Sequence, residues 1–218
     1  MTMEEDIDRF LEEQKTAGRV YVRPVPQFAM PWLTKEYFQA VIRKCMGRNY
    51  IYLDEYDLVL DWLKDNQGKG LLLIGSNGVG KSVLTTKVIP FLFNRCYNYI
   101  FSIYMAIEMT NTSTYKEIMK KRLIVIDDIG TESKCDEFNF RRELFPDIID
   151  TVEQDGKLFI GSTNLETNEI TARYGLRTID RLRAITLPIV IKHESMRGKP
   201  MANNAEQAEK PEASNADE

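Results

Sequence analysis

Five stretches of the chain carry the hydrophobic signature of strands, and they alternate with segments of helical periodicity. Leu71–Ile74 and Leu123–Ile126 are continuous apolar runs, as strands buried on both faces require. Tyr99–Tyr104, Leu158–Ser162 and Ile185–Ile191 are the remaining strand candidates, and Pro188 inside the last predicts a sheet edge. Between them, Asp54–Asn66, Lys81 to about Leu92, and Phe138–Gln154 read as helices. Gln67-Gly68-Lys69-Gly70 ends the first of these, and Asp155-Gly156 turns the chain after the last. Upstream, Thr34–Met46 is a helix with Thr34 as N-cap, Gly47 as stop, and Phe38, Val41, Ile42 and Cys45 on one side. Strands alternating with helices predict an α/β fold: three layers, αβα, around a central five-stranded parallel sheet.

The ends differ from this body. Residues 4–15 place Ile7, Phe10 and Leu11 at helical spacing on an otherwise charged segment. Such an amphipathic helix docks on a partner or folds back on the body. Residues 18–31 contain Gly18, Pro24, Pro26 and Pro31 and read as an extended linker. Residues 201–218, rich in Ala, Asn and Glu, read as a disordered tail. The implied organisation is an N-terminal partner-binding region (1–49), one α/β domain (50–200) and an acidic tail (201–218).

Charge follows the same division. The formal net charge is −4, with five acidic residues against Lys210 in 201–218, and six against Arg9 and Lys15 in residues 1–15. The segment between is therefore mildly basic, which permits contact with nucleic acid without demanding it. No apolar run approaches the ~18 residues that span a bilayer, and the acidic N-terminus lacks the apolar core of a secretory signal. These features predict a cytoplasmic protein with no membrane association. Cys45, Cys96 and Cys135 stand far apart and His193 is the sole histidine, so neither a disulfide framework nor a zinc cluster is indicated.

Candidate chemistry begins at the end of the first strand. Gly75-Ser76-Asn77-Gly78-Val79-Gly80-Lys81-Ser82 fits the pattern G-x4-G-K-[ST] and lies between a buried strand and a helix. Glycines let backbone N–H groups wrap phosphates, and the helix N-terminus adds partial positive charge. The stretch Gly75–Val83 is thus predicted to hold ATP. Lys81 reaches the β- and γ-phosphates and Ser82 ligates Mg²⁺.

Leu123–Ile126 delivers Asp127 and Asp128 at its C-terminal end, where α/β sheets place ligands. Asp127 is the expected second Mg²⁺ partner, and Asp128 the group that orients and polarises the attacking water. The strand Phe159–Ser162 leads to Asn164, whose amide can hydrogen-bond the water or the γ-phosphate. Arg173, Arg177, Arg181 and Arg183 crowd into eleven residues. Arg177 and Arg181, four apart, share a helix face. From spacing alone the block reads as a solvated basic face, a nucleic-acid contact, or an arginine offered to a neighbour's γ-phosphate.

Taken together, these residues resemble the DnaC-like and IstB-like AAA+ ATPases, a family of replicative helicase loaders and transposition helpers. The matching motifs run from about Tyr50 to Arg197. They are Gly70–Gly75, the P-loop, Ile126-Asp127-Asp128-Ile129-Gly130-Thr131-Glu132, Ser162-Thr163-Asn164, the Tyr174–Arg183 block, and Ser195-Met196-Arg197. The resemblance implies Asn164 as sensor 1 and Arg197 as sensor 2. It implies Arg181 as the arginine finger, with Arg177 supporting or alternative. A finger acts across a subunit boundary, so it further implies a homo-oligomer with ATP between protomers, and a reduced or absent helical lid. A replicative helicase is the implied partner, and single-stranded DNA the implied nucleic acid. The residues themselves argue less for DNA: Lys116, Lys120, Lys121 and Arg122 lack the interleaved aromatics of a stacking surface and read as solvated charge.

Three readings of function follow. The first is an ATPase that loads a replicative helicase. The second is a transposition helper, which the same ATPase domain serves equally. The third is a nucleotide-dependent scaffold with negligible turnover, conceivable because Asp128 is one methylene shorter than a glutamate.

Overall fold

The computed structural model describes residues 2–16, 25–47, 50–109, 112–133, 135–137, 140–142, 144–193 and 195–196. Arg197, the tail 201–218 and the first half of the linker, residues 18–24, lie outside the described residues.

A five-stranded sheet forms the centre. Its strands are β1 (Gly70–Gly75), β2 (Ser102–Met105), β3 (Leu123–Ile129), β6 (Leu158–Thr163) and β7 (Thr186–Ile191), and every pairing is parallel. The order across the sheet is β2-β3-β6-β1-β7. β7 is at an edge, as Pro188 requires, since a central strand would need the N–H that proline lacks.

Side chains alternate across a strand, so the central strands β1, β3 and β6 each feed two cores. Along β1, Leu71 and Leu73 enter one cluster while Leu72 and Ile74 enter the other. The first core is closed by α2 (Lys35–Met46), α3 (Tyr56–Lys64) and the helix after β1. It gathers Phe38, Trp62 and Phe93, each at most 2% exposed. The second is closed by α6 (Thr112–Met119), α7 (Leu144–Asp155), α8 (Thr167–Tyr174) and α9 (Leu176–Ile185). The three-layer αβα architecture expected from the hydropathy pattern is the one observed. No helix among the described residues is long and apolar enough to cross a membrane.

The helix after β1 begins as α4 (Lys81–Val83), passes through a π-helical turn (Leu84–Val88) and continues as α5 (Ile89–Tyr97). It therefore outruns its predicted end near Leu92. Pro90 sits at the start of α5, where a missing N–H costs least. The helix expected from Phe138 is a second correction. Residues Phe140–Arg142 are instead β5, paired antiparallel with β4 (Cys135–Glu137), and the helix begins only at Leu144. The register sets Asp136 opposite Arg141. Backbone pairing between two adjacent short segments wins over a helical periodicity that is weak in this stretch.

Two N-terminal segments behave differently. α1 (Met3–Thr16) forms as expected, with Ile7 and Phe10 exposed. Residues 28–47 join the body. Met30, Leu33, Phe38 and Ile42 are buried in the first core, which therefore runs across residue 50. Thr34 caps α2 by accepting the Tyr37 N–H at 3.2 Å, and Gly47 ends it with φ 65°.

Candidate nucleotide site

The strand order determines what meets at the C-terminal edge. β6 lies between β1, which carries the P-loop, and β3, which carries the two aspartates. The residues that follow β6 therefore fall between the lysine and the carboxylates.

The P-loop turns through left-handed backbone at Gly78 (φ 84°) and Gly80 (φ 83°). At Gly80 a Cβ would also lie 2.4 Å from both the Met46 methyl and the Tyr56 hydroxyl, so only glycine fits. The loop is braced from three sides. Tyr56 Oη donates to the Val79 carbonyl at 2.7 Å, and burial raises the phenol's pKa, so it remains a donor. Ser76 Oγ donates to the His193 carbonyl at 2.8 Å, and the Met196 N–H to the Gly78 carbonyl at 3.2 Å. The segment after β7 thus crosses directly over the loop.

Lys81 is 4% exposed. Its ammonium donates to the carbonyls of Gly75 and Ser76 and to Asn164 Oδ1, each at 2.8 Å. The predicted phosphate-binding lysine and the predicted sensor are therefore in direct contact, although 83 residues separate them. A compact ammonium with three rotatable donors can exchange carbonyl partners for phosphate oxygens at little geometric cost.

The two aspartates are built differently. Asp127 is 1% exposed. Its Oδ1 accepts from Thr85 Oγ1 at 3.0 Å and from Ser162 Oγ. Asp128 lies in a register break between Ile126 and Ile129, with φ 56°. This β-bulge inverts the usual alternation and points Asp128 into the same cleft that Gly78, Gly80, Lys81 and Ser82 line. A left-handed non-glycine residue costs about 1 kcal/mol or more. Part of the compensation is Ser162 Oγ, which accepts the Asp128 N–H at 3.1 Å while donating to Asp127. One hydroxyl on β6 thereby fixes both acids.

Cys45, Met46 and Met196 give the lining of this cleft an apolar part, and Lys87 and Asn77 line it too. Burial pushes the Cys45 thiol up from its usual pKa, so it acts as a small hydrophobe. An apolar wall beside a phosphate cradle suits the planar base of a nucleotide.

The arginines do not converge on this cleft. Arg181 is 19% exposed, and two carboxylates of α7 hold it, Asp150 and Glu153, the latter with Nε–Oε2 at 3.1 Å. Arg177 is 73% exposed and makes one pair with Asp150 at 3.2 Å. Arg183 is exposed on the same helix. Arg173 turns inward instead, donating to the carbonyls of Gly130 and Glu132. The sequence carries no signal for that contact, or for the roles of Thr85, Ser162 and Glu132. Each depends on partners distant along the chain.

A divalent cation would find hard oxygen donors in the Ser82 hydroxyl and the Asp127 carboxylate, a set that suits Mg²⁺ with its retained waters. Among the described residues no cluster of three or more His, Cys, Asp or Glu side chains offers a second metal site.

The fold has counterparts among solved structures. The DnaC helicase loader superposes with a TM-score of 0.54 at 20% identity, over 73% of this chain and 100% of that one. DnaI does so with a TM-score of 0.55 at 19% identity, over 73% and 99%. The chain has the fold of the DnaC helicase loader. No family model and no curated protein sequence matches it. The shared architecture is thus visible in three dimensions, where pairing and burial are compared, and is lost at the level of residue identity. Within the DnaC-type fold, β3 and β6 bring the acidic pair and Asn164 to the P-loop of β1.

Proposed function

We propose that this protein binds and hydrolyses ATP and uses the cycle to load a replicative helicase onto single-stranded DNA. One observation carries the ATPase reading: Lys81, Asn164 and Asp128 converge at the ends of three adjacent strands. The backbone N–H groups of Gly75–Val83 bind the phosphates, with Lys81 on the β- and γ-oxygens. Ser82 and Asp127 would hold Mg²⁺, which would neutralise charge on those phosphates. Asp128 accepts a hydrogen bond from the attacking water and orients it, and Asn164 contacts the γ-phosphate or that water.

The reaction needs positive charge at the γ-phosphate as the bond to it breaks. Neither Arg177 nor Arg181 lines the cleft of its own chain, which supports action across a subunit boundary in a homo-oligomer. Arg177 is the better placed of the two, because its single pair with Asp150 is exposed and worth less than about 1 kcal/mol. Arg181 then anchors α9 on α7. Arg197 is assigned to the nucleotide of its own protomer on the strength of its motif alone.

The loading role is supported by the fold shared with the DnaC helicase loader and by α1. The exposed Ile7 and Phe10 of that helix suit a partner's groove. The test is affinity capture of the full chain from its host with ATP present, beside a steady-state ATPase assay. Recovery of a hexameric helicase together with ATP turnover supports the proposal. Capture without a helicase, with ATP-dependent filaments on duplex DNA, identifies a transposition helper. Nucleotide binding without turnover identifies a scaffold.

A further inference from the structure

The loop after Asp128 contains a buried ionic cluster that ATP chemistry does not explain. The Glu132 side chain is 1% exposed. Its Oε2 accepts the Gly130 N–H at 2.8 Å, and its Oε1 accepts the Tyr174 hydroxyl. Arg173 donates to the Gly130 carbonyl and, at 2.6 Å, to the Glu132 carbonyl, with Nη2 3.8 Å from Glu132 Oε1. The Asp128 carbonyl meanwhile accepts from Thr131 Oγ1 at 2.8 Å and from the Thr131 N–H at 3.2 Å. The chain between Asp128 and Glu132 is therefore tied along its length, partly within itself and partly to Arg173 and Tyr174 at the end of α8.

Stability alone is a poor account of this arrangement. Well-packed apolar residues hold a loop at least as firmly as a buried carboxylate–guanidinium pair, which recovers little beyond its desolvation cost. What directional hydrogen bonds add is a fixed geometry. The residue that needs one is Asp128, in left-handed backbone at a bulge, with Ser162 as its constraint on the N-terminal side. On the C-terminal side the Glu132 cluster adds its constraint to the pairing of Ile129 with Thr163 of β6.

We propose that Glu132, held by Arg173 and Tyr174, is a positioning residue that keeps Asp128 aimed at the attacking water. This rests on the assignment of Asp128 given above. The experiment uses the full chain and the variants E132Q, Y174F, D128N and E132Q/D128N. The E132Q side chain keeps the shape of the original but loses the charge that faces Arg173, and it puts an NH2 donor where one of the two accepting oxygens stood. Y174F removes only a hydroxyl and keeps the fold should E132Q disturb it.

In E132Q we expect turnover to fall roughly tenfold, with KM and ATP affinity within about twofold. We expect faster amide exchange in residues 128–133. Y174F should move both readouts in the same direction by less. The double variant should be no slower than D128N, because both changes remove one contribution. Unchanged exchange at 128–133 in E132Q and Y174F overturns the proposal. So does an E132Q loss that multiplies with that of D128N, or full E132Q turnover where D128N is slow. If D128N itself turns over normally, the assignment of Asp128 is the failed part, and the exchange data still test the clamp.

Discussion

At the scale of single residues, the site separates binding from chemistry. In the proposed mechanism Lys81 contributes charge to the phosphates, and a charged hydrogen bond of this kind is worth about 2 kcal/mol. Lys81→Ala should therefore weaken ATP affinity about 30-fold, read by titration with a fluorescent ATP analogue. Affinity within about threefold of the parent would show that the backbone amides alone hold the phosphates. In the proposed mechanism Asp128 acts on the water and not on the bound nucleotide. Asp128→Asn should cut turnover by about 100-fold or more and leave ATP affinity within about twofold. A variant that hydrolyses normally would remove Asp128 from the mechanism. Ser162 shows how one side chain serves both acids, since its hydroxyl donates to Asp127 and accepts from Asp128.

At the scale of elements, the P-loop depends on how closely its strand approaches its neighbours. Gly70 opens β1 where the backbone of β6 passes closest. A Cβ there would lie 2.1 Å from the Phe159 carbonyl oxygen, which is backbone and cannot swing aside. Gly70→Ala should cost about 3 kcal/mol through forced separation of β1 from β6. For a domain of this size that is a fall in Tm of roughly 6–12 °C, measured by calorimetry. An unchanged Tm would show that the strands part at no cost. The same closeness of β1 to β6 lets Asn164 reach Lys81. Strand separation should therefore lower activity before it unfolds the domain.

At the scale of the whole molecule, the cleft lacks an arginine from its own α9, so the catalytic unit we propose is a pair of protomers. Arg177→Ala should reduce turnover roughly 100-fold or more while sparing ATP binding. Mixing it with Lys81→Ala protomers should restore part of the activity, because a mixed interface joins an intact P-loop to an intact Arg177. The measurement is specific activity across mixing ratios. A profile with no rise above the separate variants would rule out action in trans. Arg181→Ala should behave otherwise, lowering Tm through loss of its contacts with Asp150 and Glu153.

Whatever rests on local pattern was legible along the chain. Period and apolar runs marked all five sheet strands, and the G-x4-G-K-S spacing marked the phosphate cradle, because a nest of backbone amides is built from consecutive residues. Asp127, Asp128 and Asn164 were legible as polar residues ending buried strands. What depends on pairing was misplaced: Phe140–Arg142 carried a helical pattern and became a strand once β4 lay beside it. It took the assembled sheet to set β6 between β1 and β3 and so bring Asn164 to Lys81. The bulge that points Asp128 into the cleft and buries Asp127 belongs to that level too, since a bulge is a relation between two strands. So do Arg173 turned inward, Arg181 tied to α7 and Arg177 left outermost. Four arginines in one short stretch look alike along the chain. Their surroundings, contributed by residues up to 43 positions away, give them different work.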